Sequence, residues 1–145
     1  MTNTLLDRPL VAIAGPEDAE LTYRALRDQI DYATCRPLVV NVIQKAGGGI
    51  DKAGVQQRQE YAEKAFDRMS TLAESDGIEL ETDIYYGTDV ADTLIEAAND
   101  VDATAIVFTS RGGSSWLDIL SGGVRSSLIA KSDLPVVVLP NNDSK

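Results

Sequence analysis

Five apolar runs of strand length recur along the chain: "PLVAIA" (9–14), "PLVVNVI" (37–43), "IELETDIYY" (78–86), "ATAIVF" (103–108) and "LPVVVLP" (134–140). A segment with helical spacing separates each from the next. After the first run, Pro16 suits the first position of a helix, where its missing N–H is not needed. Ala19, Tyr23, Leu26, Ile30 and Ala33 then share one face at close to the 3.6 period. Residues 51–76 form the longest helix, with Ala62, Ala65, Phe66, Met69, Leu72 and Ala73 as its buried stripe and Gly77 placed for a C-terminal cap. The third run alternates like a half-exposed strand, and Tyr85 and Tyr86 at its end read as packing residues. Asp89 caps a helix that turns Val90, Leu94, Ala97 and Ala98 inward, and a last helix covers residues 123–131. This alternation, with near-continuous apolar strands, predicts a parallel sheet covered by helices on both faces. Ligands of such sheets bind at the carboxyl ends of the strands, where strand order reverses. Strands one and four are the natural neighbours there, so the loops after Ala14 and Phe108 face each other across a crevice.

The length of 145 residues fits one domain, 1–145. A net charge of −10 argues against nucleic acid and against an anionic membrane surface, both of which call for clustered Lys and Arg. Arginine outnumbers lysine and the acidic residues are spread along the chain. Such a surface suits a salty, halophile-like cytoplasm that screens the self-repulsion. Cys35 is the lone cysteine, which excludes an intrachain disulfide and points to an intracellular setting. Histidine is absent, and with it Ser-His-Asp and Cys-His chemistry and most zinc sites. "MTNTLLDRPL" has neither the basic start nor the apolar run of a signal peptide, and no run approaches the ~20 apolar residues of a membrane span. The expected location is the cytoplasm, and no metal site is expected.

The stretch "TSRGGSSWLDILSGGVRSSL" (109–128) carries the chemistry to be explained, because glycines and hydroxyls after a strand often hold phosphate. Neither the Walker loop G-x-x-x-x-G-K-[ST] nor a G-x-G-x-x-G after the first strand occurs. Gly112 and Gly122, with nine residues between them, occupy the second and third glycine positions of G-x2-G-x9-G-[ST]. In this the chain resembles the universal stress protein family. "LVAIAGPEDAELTYRAL", "LVVNVIQ", "GTDVADTLIEAANDVDATAIVFTSRGG" and "SDLPVVVLP" are similar to successive parts of that family's domain. The resemblance implies an adenine nucleotide alpha hydrolase-like α/β fold, a five-stranded parallel sheet of order 3-2-1-4-5. It also implies a homodimer joined through the fifth strand. Some members bind ATP or AMP and others, with a degenerate signature, do not. No settled catalytic chemistry comes with the fold, so function has to be argued from the site.

Carried over residue by residue, the signature is incomplete. The aspartate that nucleotide-binding members place at the end of strand one corresponds to Ala14. The first signature glycine corresponds to Thr109, whose β-carbon obstructs close backbone approach and makes a positive φ costly. The signature hydroxyl corresponds to Gly123. What remains is an anion site at the start of the last helix, from the backbone amides of Gly123, Val124 and Arg125 with Gly122 before them. Ser126, Ser127 and the Arg125 guanidinium add donors, and Arg111 and Gly112 lie in the facing loop. The competing assignment is a tight Gly122-Gly123 turn, serines that cap the helix and solvated arginines. Trp116 and Leu117 fit packing better than a lid, Asp118 lacks a partner for acid–base work, and "AGGGIDKAG" (46–54) reads as a surface loop. "VVVL" (Val136, Val137, Val138, Leu139) is an apolar edge strand bracketed by Pro135 and Pro140, and pairing with a second copy gives a closed dimer. The sequence therefore predicts a dimeric module that acts by binding or regulation in stress response, with weak or no ATP binding, no catalytic residues and an unidentified protein partner. The alternatives are an ATP- or AMP-binding switch and, behind it, a slow nucleotide hydrolase.

Overall fold

The computed structural model of the chain describes residues 5–13, 15–31, 33–44, 52–109 and 122–139. Its elements follow in the order β1 (Pro9–Ala12), α1 (Pro16–Arg27), β2 (Leu38–Gln44), α2 (Lys52–Asp76), β3 (Glu81–Gly87), α3 (Val90–Asp100), β4 (Ala105–Thr109), α4 (Gly122–Lys131) and β5 (Val136–Leu139). The five strands form one parallel sheet in the order β3-β2-β1-β4-β5. Steps from β1 to β2 to β3 run one way along the sheet, and steps to β4 and β5 run the other. Right-handed crossovers then place α1 and α2 on one face and α3 and α4 on the opposite one. The packing agrees, since α1 lies against α2 and α3 against α4.

The centre of the sheet is apolar on both sides, as a doubly covered parallel sheet must be. Every residue of β1 and of β4 is buried. Leu10, Val11, Ile106, Val107 and Phe108 pack between Tyr23 and Leu26 of α1, Met69 of α2, Leu94 of α3 and Leu128 of α4. Each such side chain contributes about 1.5–3 kcal/mol when taken fully out of water. β3 is half-exposed, with Glu81, Thr82 and Asp83 open to solvent.

Where boundaries differ from the sequence-based expectation, the cause is a cap. β3 begins at Glu81 rather than at residue 78, because Ile78 closes α2. Gly77 takes a φ of 77°, its N–H donates to the Glu74 carbonyl (3.1 Å), and the Ile78 N–H donates to Ala73 (2.9 Å). That is a Schellman closure with its buried apolar residue, Ile78, in place. β4 begins at Ala105 rather than 103 for the same reason. Asp102 stands at φ 56° and the Ala103 N–H donates to Ala98 (2.9 Å). α1 stops at Arg27, so Ala33 does not extend its buried face as expected and is exposed instead. Asp31 takes over the chain there, its carboxylate accepting from the Ala33 N–H at 2.9 Å. β5 spans only Val136–Leu139, and Pro140 lies outside the described residues.

Candidate functional site

β1 and β4 pair as far as Val11 and Val107, and beyond that point each strand is held by its outer neighbour. On one side the Ile13 N–H donates to Val40 of β2 (3.0 Å), and the Asn41 side-chain amide donates to the Ile13 carbonyl (2.7 Å). On the other, β4 continues in register with β5 to Thr109 and Leu139. The carboxyl ends of the two central strands thus part where strand order reverses, which is where a sheet of this kind offers a ligand crevice.

Two helix N-termini flank that crevice and differ in chemistry. α1 opens with Pro16-Glu17-Asp18 after Gly15, an N-cap with no side-chain hydrogen bond. Proline supplies no N–H, so the first helical position of α1 offers no backbone donor. α4 opens with Gly122, Gly123, Val124 and Arg125, and its first turn contains no acidic residue. The N–H groups of Gly122, Gly123 and Val124 have no partner inside the helix, whereas the fourth residue, Arg125, donates the first intrahelical bond, so the expected Arg125 amide is not among the open donors. At the two glycines no side chain limits approach to them. By contrast, Asp89 caps α3 by accepting from the Asp92 N–H at 2.9 Å.

Ser126 is exposed and Ser127 partly buried, both within α4 past its first turn. The helix begins at Gly122, so neither Ser126 nor Ser127 is its N-cap, and Ser121, which precedes it, lies outside the described residues. Ala14, Arg111 and Gly112 lie outside the described residues, as do Trp116, Leu117 and Asp118. Thr109 is the buried last residue of β4, and its hydroxyl meets that of Thr22 on α1 at 3.4 Å. Its φ is not positive; among the described non-glycine residues only Asp102 has that conformation. Tyr85 packs against the core as expected. Tyr86 does not, being exposed and hydrogen-bonded to the Gln59 amide.

Three residues at the crevice escaped the sequence. Asn41 was signalled faintly, as a polar side chain inside an apolar run. Gly15 read only as a turn, yet the ring of Tyr61 rests on it, so that a β-carbon there would stand 2.9 Å from Tyr61 Cζ and 3.1 Å from its hydroxyl oxygen. Nothing in the pattern of α2 marks Tyr61 for that contact.

Two further hollows lie elsewhere. A groove of about 500 Å³ runs between α1 and α2 past Glu20, Lys64, Asp67 and Arg68. A polar hollow of about 430 Å³ at the amino ends of the strands sets Arg8 and Arg36 against Asp7 and Asp102. There Arg8 and Arg36 share Glu81, and the hydrogen bond from Arg8 is the main cause holding that carboxyl below the usual range. Cys35 is buried, and burial, followed by the nearby Asp7 and Asp31 charges, pushes its thiol up to about 12, which makes it a poor nucleophile. Among the described residues no group of three acidic or sulfur side chains is arranged to hold a metal ion.

A model of the Universal stress protein family matches residues 7–140. The chain belongs to that family. Solved structures share its fold at low identity. One is a universal stress protein family member from Burkholderia pseudomallei (21% identity, TM-score 0.74, covering 96% of this chain and 99% of that one). Another is the universal stress protein from Archaeoglobus fulgidus in complex with dAMP (22%, 0.62, covering 91% and 96%). A third is a universal stress protein family member from Arabidopsis thaliana with AMP bound (15%, 0.68, covering 94% and 92%). The comparison with curated proteins finds no match. In this universal stress protein family chain, the fourth strand of the five-stranded parallel sheet ends on the buried Thr109. No helix among the described residues is long and apolar enough to cross a membrane.

Proposed function

We propose that the chain, as one domain over residues 1–145, is a cytoplasmic regulatory binding module of stress response. It takes an adenine nucleotide, AMP or ATP, weakly at the crevice between β1 and β4, and passes the signal through a dimer to a protein partner. The observation that carries this is the first turn of α4, where Gly122, Gly123 and Val124 offer backbone amides and no residue of the turn is acidic. Phosphate is favoured there by the unpaired N–H groups and by the positive end of the helix dipole. The family relatives with AMP and dAMP supply the nucleotide class. Arg125, Ser126, Arg111 and Gly112 complete the proposed anion side, and Ala14 leaves the nucleoside side without an acidic partner. Lacking that aspartate and the signature hydroxyl, the site forgoes charge-assisted hydrogen bonds of roughly 1.5–3 kcal/mol each. Affinity in the millimolar range follows from losses of that size. The module acts without chemistry of its own; a chain with no histidine lacks the usual general base.

The dimer is placed at β5. It is one of the two sheet edges, with Val138 45% exposed, Val136 and Val137 partly buried, and Ile129 of α4 66% exposed nearby in sequence. The other edge, β3, presents Glu81 and Asp83, charges that oppose strand-to-strand pairing.

Isothermal titration with AMP and with ATP plus magnesium, at high salt, tests the nucleotide reading. Dissociation constants near about 1 mM are expected. A low-micromolar constant would instead support a tight nucleotide-operated switch.

A further inference from the structure

We propose that Asp83 guards the outer edge of β3 and, by holding one backbone donor there, keeps a second copy of the chain from pairing with it. On its inner side β3 is fully used, with Glu81–Gly87 in parallel register with Leu38–Gln44 of β2. The Glu81 N–H donates to the Pro37 carbonyl at 3.0 Å, so Glu81 turns its backbone groups towards β2. Successive residues of a strand turn their N–H and C=O groups to opposite sides, so Thr82, Ile84 and Tyr86 turn theirs to the outer edge. β3 is the outermost strand on its side of the described sheet. The outward groups of such a strand are a template on which another strand can add.

The central donor of that row is taken. The Ile84 N–H donates to the Asp83 carboxylate at 2.9 Å, between the outward groups of Thr82 and Tyr86. An incoming strand needs this N–H, and while the carboxylate holds it the new ladder is broken at its middle. Asp83 itself is exposed, and among the described residues its side chain has no ion pair to draw it away. Glu81, the other carboxylate of this edge, is instead shared by Arg8 and Arg36, which offset its charge. Asp83 therefore supplies both the uncompensated charge of the edge and the block on its hydrogen bonding. Salt separates the two, because at about 1 M ionic strength charges are screened beyond about 3 Å. A hydrogen bond between adjacent residues persists under those conditions, and the guard assigned to Asp83 is this bond. Two copies freed of it can pair edge to edge in a closed, symmetric arrangement.

The test is light scattering of the wild type, Asp83→Asn and Asp83→Ala across a concentration series at about 1 M salt, with amide hydrogen exchange alongside. Asp83 is exposed, so neither substitution disturbs the core. Asp83→Asn loses the charge but keeps a side-chain oxygen that can accept from the Ile84 N–H, and it should keep the wild-type mass. Asp83→Ala loses the acceptor, and its mass should rise roughly twofold over that of the wild type as concentration increases. The Thr82, Ile84 and Tyr86 amides should gain protection in the same samples. Because each variant is compared with the wild type's own mass, the result does not depend on whether the wild type pairs through β5. An Asp83→Ala protein of wild-type mass would overturn the proposal, as would a raised mass without protection at these amides. Equal association of Asp83→Asn and Asp83→Ala would also overturn it, since the guard would then be the charge and not the hydrogen bond.

Discussion

Asn41 interrupts an otherwise apolar strand, and its amide satisfies the Ile13 carbonyl where β1 leaves its pairing with β4. That hydrogen bond fixes one lip of the crevice from inside the core. Removing it leaves a buried carbonyl short of a donor, which costs about 1–3 kcal/mol. Asn41→Ala should therefore lower the unfolding free energy by an amount of that size, read as a lower denaturant midpoint at unchanged slope; an unchanged midpoint would mean that the carbonyl finds another donor. Thr109 is comparable, since its hydroxyl meets Thr22 inside the sheet–helix interface. Thr109→Gly removes that buried contact and should therefore cost stability. Asn41 left a trace in the sequence, as a polar residue where apolar ones were expected. The contact of Tyr61 with Gly15 left none, because it joins two elements far apart in the chain and depends on how α2 crosses β1.

Among the elements, α1 and α2 are clasped at their C-terminal ends. The hydroxyl of the buried Tyr23 donates to Asp76, and Arg27 reaches the same carboxylate at 3.2 Å while its guanidinium lies over the Tyr23 ring. The hydrogen bond from Tyr23, with Arg27 adding to it, holds the Asp76 carboxyl below the usual carboxylate range. A carboxyl lowered in the folded state stabilises that state above its unfolded pKa, and the contribution is lost as pH falls through the folded value. Thermal melts taken from neutral pH down to about pH 3 should show a shallower acid limb for Asp76→Asn than for the wild type. Identical limbs would show that the clasp is not linked to protonation. Such clasps and caps also explain which element boundaries could be read beforehand. The apolar periods located all nine elements that were expected, and Gly77 was foreseen as a cap. The Schellman closures then draw Ile78 and Ala103, two apolar residues that look like strand, into the helix ends before them.

For the whole molecule, the sheet order was legible through the signature spacing, whereas the state of the crevice was not, because it depends on where loops and side chains from three elements meet. The two edges of the sheet are unlike, and this asymmetry supports assembly at β5. Val138 faces solvent without holding the core, so on the proposed dimer the wild type should scatter as a dimer and Val138→Lys as a folded monomer at the same concentration. A mass that stays dimeric would move the interface away from this strand. The central claim is that a phosphate-bearing ligand lands on the amides that open α4. An ¹H–¹⁵N titration with AMP addresses it residue by residue. The predicted result is a saturating shift of the Gly122, Gly123 and Val124 amides with a dissociation constant of about 1 mM. Saturating shifts confined to other parts of the chain, with these three amides unmoved, would contradict it.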